Sequence, residues 1–495
     1  MSTFIYRFSF PVLLISMIFL LNVQTFSQDI FANIKIVSSA VPVIKIEGRF
    51  NKENSLIKNN WSFLKNYADA ENLEKRINNF KIFDAEGIEI PLKTFADGEF
   101  VAEAKAESFT YQINLSVPAN KSLMAHISWV DNNQGMLMLN DLFPQFGREN
   151  ISAQVKVELP EDWRISTRAK DLGNREFQTD NLEKAIFLIG KDWREKEFTV
   201  KNTKINFVIS GEWLFSDTEA LEMARSILSE YDELFGGIPF EKTQIYLIRF
   251  PKEIETGRWR AETRGGDTVI LSSSMPFKSQ AIQRLHEQLR HELFHLWIPN
   301  ALNLSGDYAW FYEGFAVYQA LKTGVWLGQI RFEDFLNTIS EASNIVNRVE
   351  QKFSLIEISK NRWRQASASV YSKGLLVAFL CDVAILENSK GKRDLREVFL
   401  EVYRKNNNSN IKKDANESIL QVLNDFNELK FIVEKHIKGT EKIDPANYLI
   451  SNGIENAGTS SNAKFKLKEK LNGREKAILK KLGYNRWREI LRKSK

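Results

Sequence analysis

His291-Glu292-Leu293-Phe294-His295 is the stretch from which this 495-residue chain can be read outward. Residues i and i+4 of an α-helix share one face, so both imidazoles can converge on a single ion. Glu292 sits one residue round the helix, close enough to act on a water at that ion without ligating it. The set suits zinc, which lowers the pKa of a bound water to about 7. The chain holds only 5 histidines, and accident would produce His-acid-x-x-His in roughly under 1% of such sequences. Leu293, Phe294, Leu296 and Trp297 are the uncharged neighbours expected of a helix buried behind a metal.

A third ligand is at hand in Glu313, within Trp310-Phe311-Tyr312-Glu313-Gly314-Phe315-Ala316-Val317-Tyr318. Pro299, Asn300, Asn303, Ser305, Gly306 and Asp307 mark the loop between. The apolar run after Gly314 predicts a helix with Glu313 in its first turn. A carboxylate flanked by Tyr312 and Phe315 needs a partner, and a metal would serve. Two His and one Glu leave the fourth position for water, the pattern of a catalytic zinc, one ion per chain. Asp307 is a candidate to orient a ligand histidine from behind. His286 lies off the metal face and reads as structural. His126 and His436 have no ligand partners at useful spacing.

The hydrophobic fraction of 43% and charged fraction of 26% are those of a globular protein with room for several domains. Arg7 followed by the apolar run Phe8 to Val23 predicts a signal segment over 1–27, with Thr25-Phe26-Ser27 before the cleavage point. An uncleaved N-terminal membrane anchor is the alternative. Cys381 is the single cysteine and lies in an apolar helix, so it reads as a buried small hydrophobe. Export without disulfides suggests a bacterial periplasmic, cell-envelope or secreted protein. Of the net charge of +5, residues 464–495 carry thirteen Lys or Arg against three Glu. With apolar residues interleaved, 456–495 predicts a basic amphipathic helical tail, packed on the body or touching an anionic surface. An exported chain is not expected to bind nucleic acid.

Val43 to Phe50, Lys81 to Ile90, Ser108 to Val117, Ala125 to Val130 and Ala153 to Leu159 read as strands. Asn51 to Asn79 reads as a polar, partly helical insertion. Asp217 to Phe235 has helical periodicity, Thr243 to Phe250 and Asp267 to Ser273 read as strands, and Ser279 to Trp297 is the motif helix. Further helices are expected over Phe315 to Gly324, Phe332 to Ala342, Leu375 to Leu386 and Asp394 to Tyr403. The expectation is a multidomain α+β protein. Residues 28–212 would form an N-terminal β-sandwich-like domain and 213–455 a catalytic domain, its sheet lobe ending near 300 before a helical lobe.

With these residues the chain resembles the gluzincin metallopeptidases, and within them the glycyl aminopeptidase family, family sixty-one. Leu234-Phe235-Gly236-Gly237-Ile238-Pro239-Phe240, Tyr371-Ser372-Lys373-Gly374 and Ile437-Lys438-Gly439-Thr440-Glu441 with Tyr448-Leu449 look like that family's flanking segments. The resemblance covers most of Gln28 to Ile454 and implies a thermolysin-like catalytic domain acting on peptides or proteins. It implies His291, His295 and Glu313 as zinc ligands and Glu292 as general base. Tyr371 would steady the tetrahedral oxyanion, a task that suits a phenol aimed at developing charge in a dry site. Glu262 would bind the free amine of a substrate, ahead of an edge strand, Thr268-Val269-Ile270-Leu271, that could pair with an extended peptide.

Two departures stand out. Trp259 replaces the usual glycine and Thr263 replaces a His or Asn in Trp259-Arg260-Ala261-Glu262-Thr263. The residues after Ile454 are too few for the PDZ-like domain that many members carry. An exported zinc aminopeptidase is therefore the first expectation. A zinc endopeptidase indifferent to the free amine, and an inactive peptide-binding protein that keeps its zinc, are the alternatives.

Overall fold

Val43–Phe50 shows how the first domain is built. Ile44, Ile46 and Phe50 face inward while Val43, Lys45 and Arg49 face out, the two-residue period of a half-buried strand. The computed structural model describes residues 28–36, 42–51, 59–349, 352–363, 367–407, 411–449, 452–459 and 462–486. The expected signal segment lies outside them. Val43–Phe50 is central in an eight-stranded sheet, between Ile30–Lys35 and Ser108–Asn114, with Ile46 opposite both Ile34 and Tyr111. A four-stranded sheet closes over it, and Phe50, Trp61, Phe109, Leu137, Phe187 and Ile189 fill the space between.

The strand Ile186–Gly190 of that second sheet is apolar at every step and buried on both faces. Phe187 and Ile189 enter the sandwich core. Ile186 and Leu188 point the other way and pack on Tyr246 and Val269 of the next sheet. One strand thus belongs to two cores, which fixes the sandwich against the second domain.

That next sheet has five strands in the order Trp193–Val200, Thr203–Ser210, Lys242–Arg249, Asp267–Ser272, Trp259–Arg264. Three central strands run parallel, and the edge strand Trp259–Arg264 lies antiparallel to Asp267–Ser272. Here the structure corrects the expected boundary at 212/213. Val208 pairs with Tyr246, so Trp193–Val200 and Thr203–Ser210 belong to the five-stranded sheet of the second domain. Their β character was legible; their pairing partner was not.

The crossover helix Asp217–Phe235 opens on a capping box of Ser216 and Glu219 and closes at Gly236, whose φ of 82° suits glycine. The motif helix, Lys278–Phe294, lies against it through Ala281, Leu285, Leu289 and Leu293, four positions one turn apart. The Tyr231 hydroxyl donates to the Arg290 carbonyl at 2.5 Å, and the Trp297 indole donates to the Gly237 carbonyl at 2.7 Å. A helical lobe comes next, built on Ala316–Trp326, Phe332–Arg348, Ser367–Asn388, Arg396–Asn406 and Ala415–Asn424. Ser369–Asn388 is long and apolar enough to cross a membrane, but it is the lobe's central core helix, with Cys381 buried in it as expected.

Other local expectations are corrected. Ala125 to Val130 is a strand only at Trp129–Val130, because Ser128 turns in to bond Asp141. The expected helical tail begins instead with a hairpin, Ile454–Asn456 on Phe465–Leu467. Lys464-Phe465-Lys466-Leu467-Lys468 alternates with period two, which is a strand signal. The Phe465 amide donates to Ser340 Oγ at 2.8 Å and fastens the hairpin to Phe332–Arg348. A helix does form at Gly473–Lys481 and buries Ile478 and Leu479.

Candidate active site

The motif helix, the edge strand, the helices of the lobe and the first domain enclose one cleft of about 1590 Å³. His291 and His295 project into it one turn apart. Their Nε2 atoms are 3.2 Å from each other. Glu313 Oε2 is 3.1 Å from His291 Nε2 and 3.7 Å from His295 Nε2. A tetrahedral zinc with bonds of ~2.0–2.1 Å needs ligand atoms about 3.3 Å apart. The three separations bracket that value, so these side chains can hold such an ion without rearranging.

Two of these three side chains are held from behind. His295 Nδ1 faces the Ile298 carbonyl at 2.9 Å, which places the proton on Nδ1 and frees Nε2. Asp307, the expected orienting residue, is exposed and bonds elsewhere, through its carbonyl to Asn416. Glu313 lies in a single π-helical turn, Trp310–Phe315. Its other oxygen receives Arg362 Nη2 at 2.7 Å, and Arg362 Nη1 donates to the Tyr312 hydroxyl at 2.9 Å. Burial works to raise the Glu313 carboxyl, but Arg362 and the two histidines outweigh it and hold it well below the usual range.

Glu292 clusters with the two histidines, its carboxylate within 4.8 Å of their ring nitrogens. Thr263 Oγ1 donates to Glu292 Oε2 at 3.0 Å, and the same hydroxyl lies 3.0 Å from the Glu292 carbonyl. Asn300 ties the same edge to the end of the motif helix. Its amide nitrogen reaches the carbonyls of Thr263, at 2.8 Å, and His295, at 3.0 Å, while its oxygen accepts from the Gly265 amide at 2.7 Å. Tyr371 lines the cleft beside His291, ring centroids 6.4 Å apart. Burial, then the Glu313 carboxylate, push its phenol up, so it stays protonated. Gly314 and Gly374 let the helices carrying Glu313 and Tyr371 touch backbone to backbone.

Glu262 is not a loop acid on the surface. Nor does it precede the edge strand as expected: Asp267–Ser272, which holds Thr268 to Leu271, is paired on both sides, and the edge is Trp259–Arg264. Glu262 lies on that edge inside the cleft, with Tyr67 Oη donating to Oε1 at 2.6 Å and His126 Nδ1 2.5 Å from Oε2. Arg264 donates to Oε1 through Nε, at 2.9 Å, and Nη2, at 2.6 Å. Burial raises the Glu262 carboxyl, but Arg264 and His126 outweigh it and bring the pKa to about 2. Tyr67 and His126 come from the first domain, and sequence spacing had no means of finding them. His436, by contrast, stays far from ligand duty, 2.7 Å from the Tyr448 hydroxyl. His286 is no ligand either. It lines the cleft one turn before Arg290, and burial, then the Arg290 charge, push its pKa down to about 3. Trp259, where a glycine was expected, sets its indole 6.5 Å from the His291 ring and narrows the cleft.

Residues 67–186 match the family model of the Peptidase M61 N-terminal domain. No curated protein matches the chain in sequence. Solved structures are similar in fold. An aminopeptidase N family protein from Idiomarina loihiensis has a TM-score of 0.73 at 17% identity, over 86% of this chain and 78% of that one. An M1 zinc metallopeptidase from Deinococcus radiodurans has a TM-score of 0.55 at 12% identity, over 84% of this chain and 94% of that one. A mutant of that enzyme bound to a Tyr-Ser-Ala substrate has a TM-score of 0.56 at 12% identity and the same coverage. The chain shares their mixed α+β multidomain architecture with a β-rich N-terminal domain.

Proposed function

We propose that this chain is an exported zinc-dependent metallopeptidase that removes residues from the amino end of peptides. One observation carries the reading: His291, His295 and Glu313 bring three donor atoms to tetrahedral spacing with Glu292 beside them. The M61 N-terminal domain and the fold shared with M1 zinc metallopeptidases support it. Phe8 to Val23 supports export.

When bound, zinc would lower the pKa of a water to about 7 and polarise the scissile carbonyl. Glu292 accepts the proton of the attacking water and passes it to the leaving amine. Thr263 holds that carboxylate at 3.0 Å, which fixes where the proton is taken and delivered. Tyr371, kept protonated, donates to the oxyanion as the carbonyl becomes tetrahedral. The free side of Trp259–Arg264 offers backbone groups to an extended peptide. Glu262, a buried carboxylate at the end of that path, receives the substrate's ammonium group.

A specific observation favours a second reading. Both Glu262 oxygens are already engaged, by Tyr67, His126 and Arg264. A carboxylate so occupied leaves little room for an ammonium, and the enzyme would then be an endopeptidase. The deciding experiment treats a mixed peptide library with the full chain, with and without a zinc chelator, and reads products by mass spectrometry. Chelator-sensitive loss of single N-terminal residues, abolished by N-acetylation, supports the aminopeptidase. Internal cuts that ignore acetylation support the endopeptidase. One bound zinc per chain with no products leaves a peptide-binding protein.

A further inference from the structure

Arg290 immediately precedes the first motif histidine, yet it plays no part in the chemistry above. It is 5% exposed and lines the branch of the cleft between the motif helix and the helices Ala316–Trp326 and Phe332–Arg348. Its Nε is sealed from solvent without an acceptor, and among the described residues no carboxylate pairs with its guanidinium. The acids nearby are already taken. Glu287 meets Arg284 at 2.7 Å, and Asp334 meets Arg331 at 2.8 and 2.9 Å. His286, the other buried polar group on that face, has both ring nitrogens unpartnered.

The fold makes room for this unpaired cation. Gly324 lies directly under it, and a Cβ there would collide with Arg290 Nη1 and with Ile330. A buried guanidinium without a counter-charge is costly, and the cost is removed when an anion arrives. The fork of a guanidinium matches a carboxylate bidentately.

Glu262 and Arg290 both line this cleft with the metal ligands, Glu262 from the edge strand and Arg290 from the motif helix. With a substrate's amino end at Glu262, the branch at Arg290 receives the substrate residues beyond the scissile bond. On the peptidase reading, we infer that Arg290 is a specificity residue that binds a carboxylate on the leaving-group side of the substrate. That carboxylate is either an Asp or Glu side chain or the free C-terminus of a short peptide.

The test measures binding, not turnover. Calorimetry on the zinc-loaded full chain carrying Glu292→Gln compares Ala-Glu-Ala-amide with Ala-Gln-Ala-amide, and the free acid Ala-Ala with Ala-Ala-amide. A side-chain source makes the first ratio about 10- to 100-fold, and a C-terminal source does the same for the second. Arg290→Met should return the ratio to near one, and Arg290→Gln replaces it if the Met variant fails to fold by circular dichroism. Ratios near one in the parent, or a preference that survives loss of the guanidinium, overturn the inference. Because binding is read in a chain that cannot cleave, the peptidase reading fails separately, by the absence of any product from the unmodified chain.

Discussion

Gly314 and Gly374 meet with no side chain between them: a Cβ built on either would lie 2.6 Å from the Cα of the other. Gly314 is next to Glu313 in the chain, and Gly374 lies one turn after Tyr371. This backbone contact is therefore what sets the Glu313 carboxylate and the Tyr371 phenol in one site.

Gly374→Ala forces the two helices apart. Overpacking of this kind costs about 1–3 kcal/mol. A lower melting temperature is expected together with a fall in kcat, read by calorimetry and peptide turnover. Unchanged kcat would mean that Tyr371 does not depend on this contact.

Glu292→Gln should retain zinc, measured by atomic absorption, and lose at least about 10²-fold in turnover. Thr263→Val removes the hydroxyl that holds Oε2. A single hydrogen bond of about 1–1.5 kcal/mol corresponds to a drop in kcat near tenfold, with metal content and KM unchanged. Wild-type turnover in Glu292→Gln would sink the assignment of the base.

Tyr371→Phe deletes one donor to the developing oxyanion. A loss of about 10²–10³ in kcat is expected with little change in KM. An equal rise in KM with normal kcat would show instead that the phenol binds substrate in its ground state.

Acid should loosen the joint between the first domain and the edge strand. The Glu262 pKa lies near 2 in the folded chain against an ordinary 4.5. A depressed folded pKa contributes stability that is present above the ordinary value and lost as pH falls toward the folded one. On the order of 3 kcal/mol is at stake, and it should disappear between about pH 4.5 and pH 2. Trp363, whose ring centroid is 5.4 Å from that of His126, is a reporter by fluorescence. Glu262→Gln should flatten the transition in that window. A transition unchanged by the substitution would place the acid sensitivity elsewhere.

Much of the site was legible because its key relations are local. Helical period alone puts His291 and His295 on one face, and an acid stranded among Tyr312, Gly314 and Phe315 announces that it needs a partner. Alternation revealed Val43–Phe50, and a continuous apolar run revealed Lys242–Arg249 to within a residue. The same rule, applied to Lys464 to Lys468, reveals the hairpin strand where a helix was expected. What the chain could not disclose on its own were meetings between distant segments. Tyr67 is 195 residues from Glu262, and His126 is 136 residues away. No period links such positions, so only the docking of the sandwich on the catalytic sheet decides that they converge. The pairing of Thr203–Ser210 with Lys242–Arg249, the hydroxyl of Thr263 at Glu292 and the placing of Arg290 over Gly324 are decisions of the same kind. Local spacing determined which side chains can hold the ion, while long-range packing decided which groups surround it and what charge the cleft presents to a substrate.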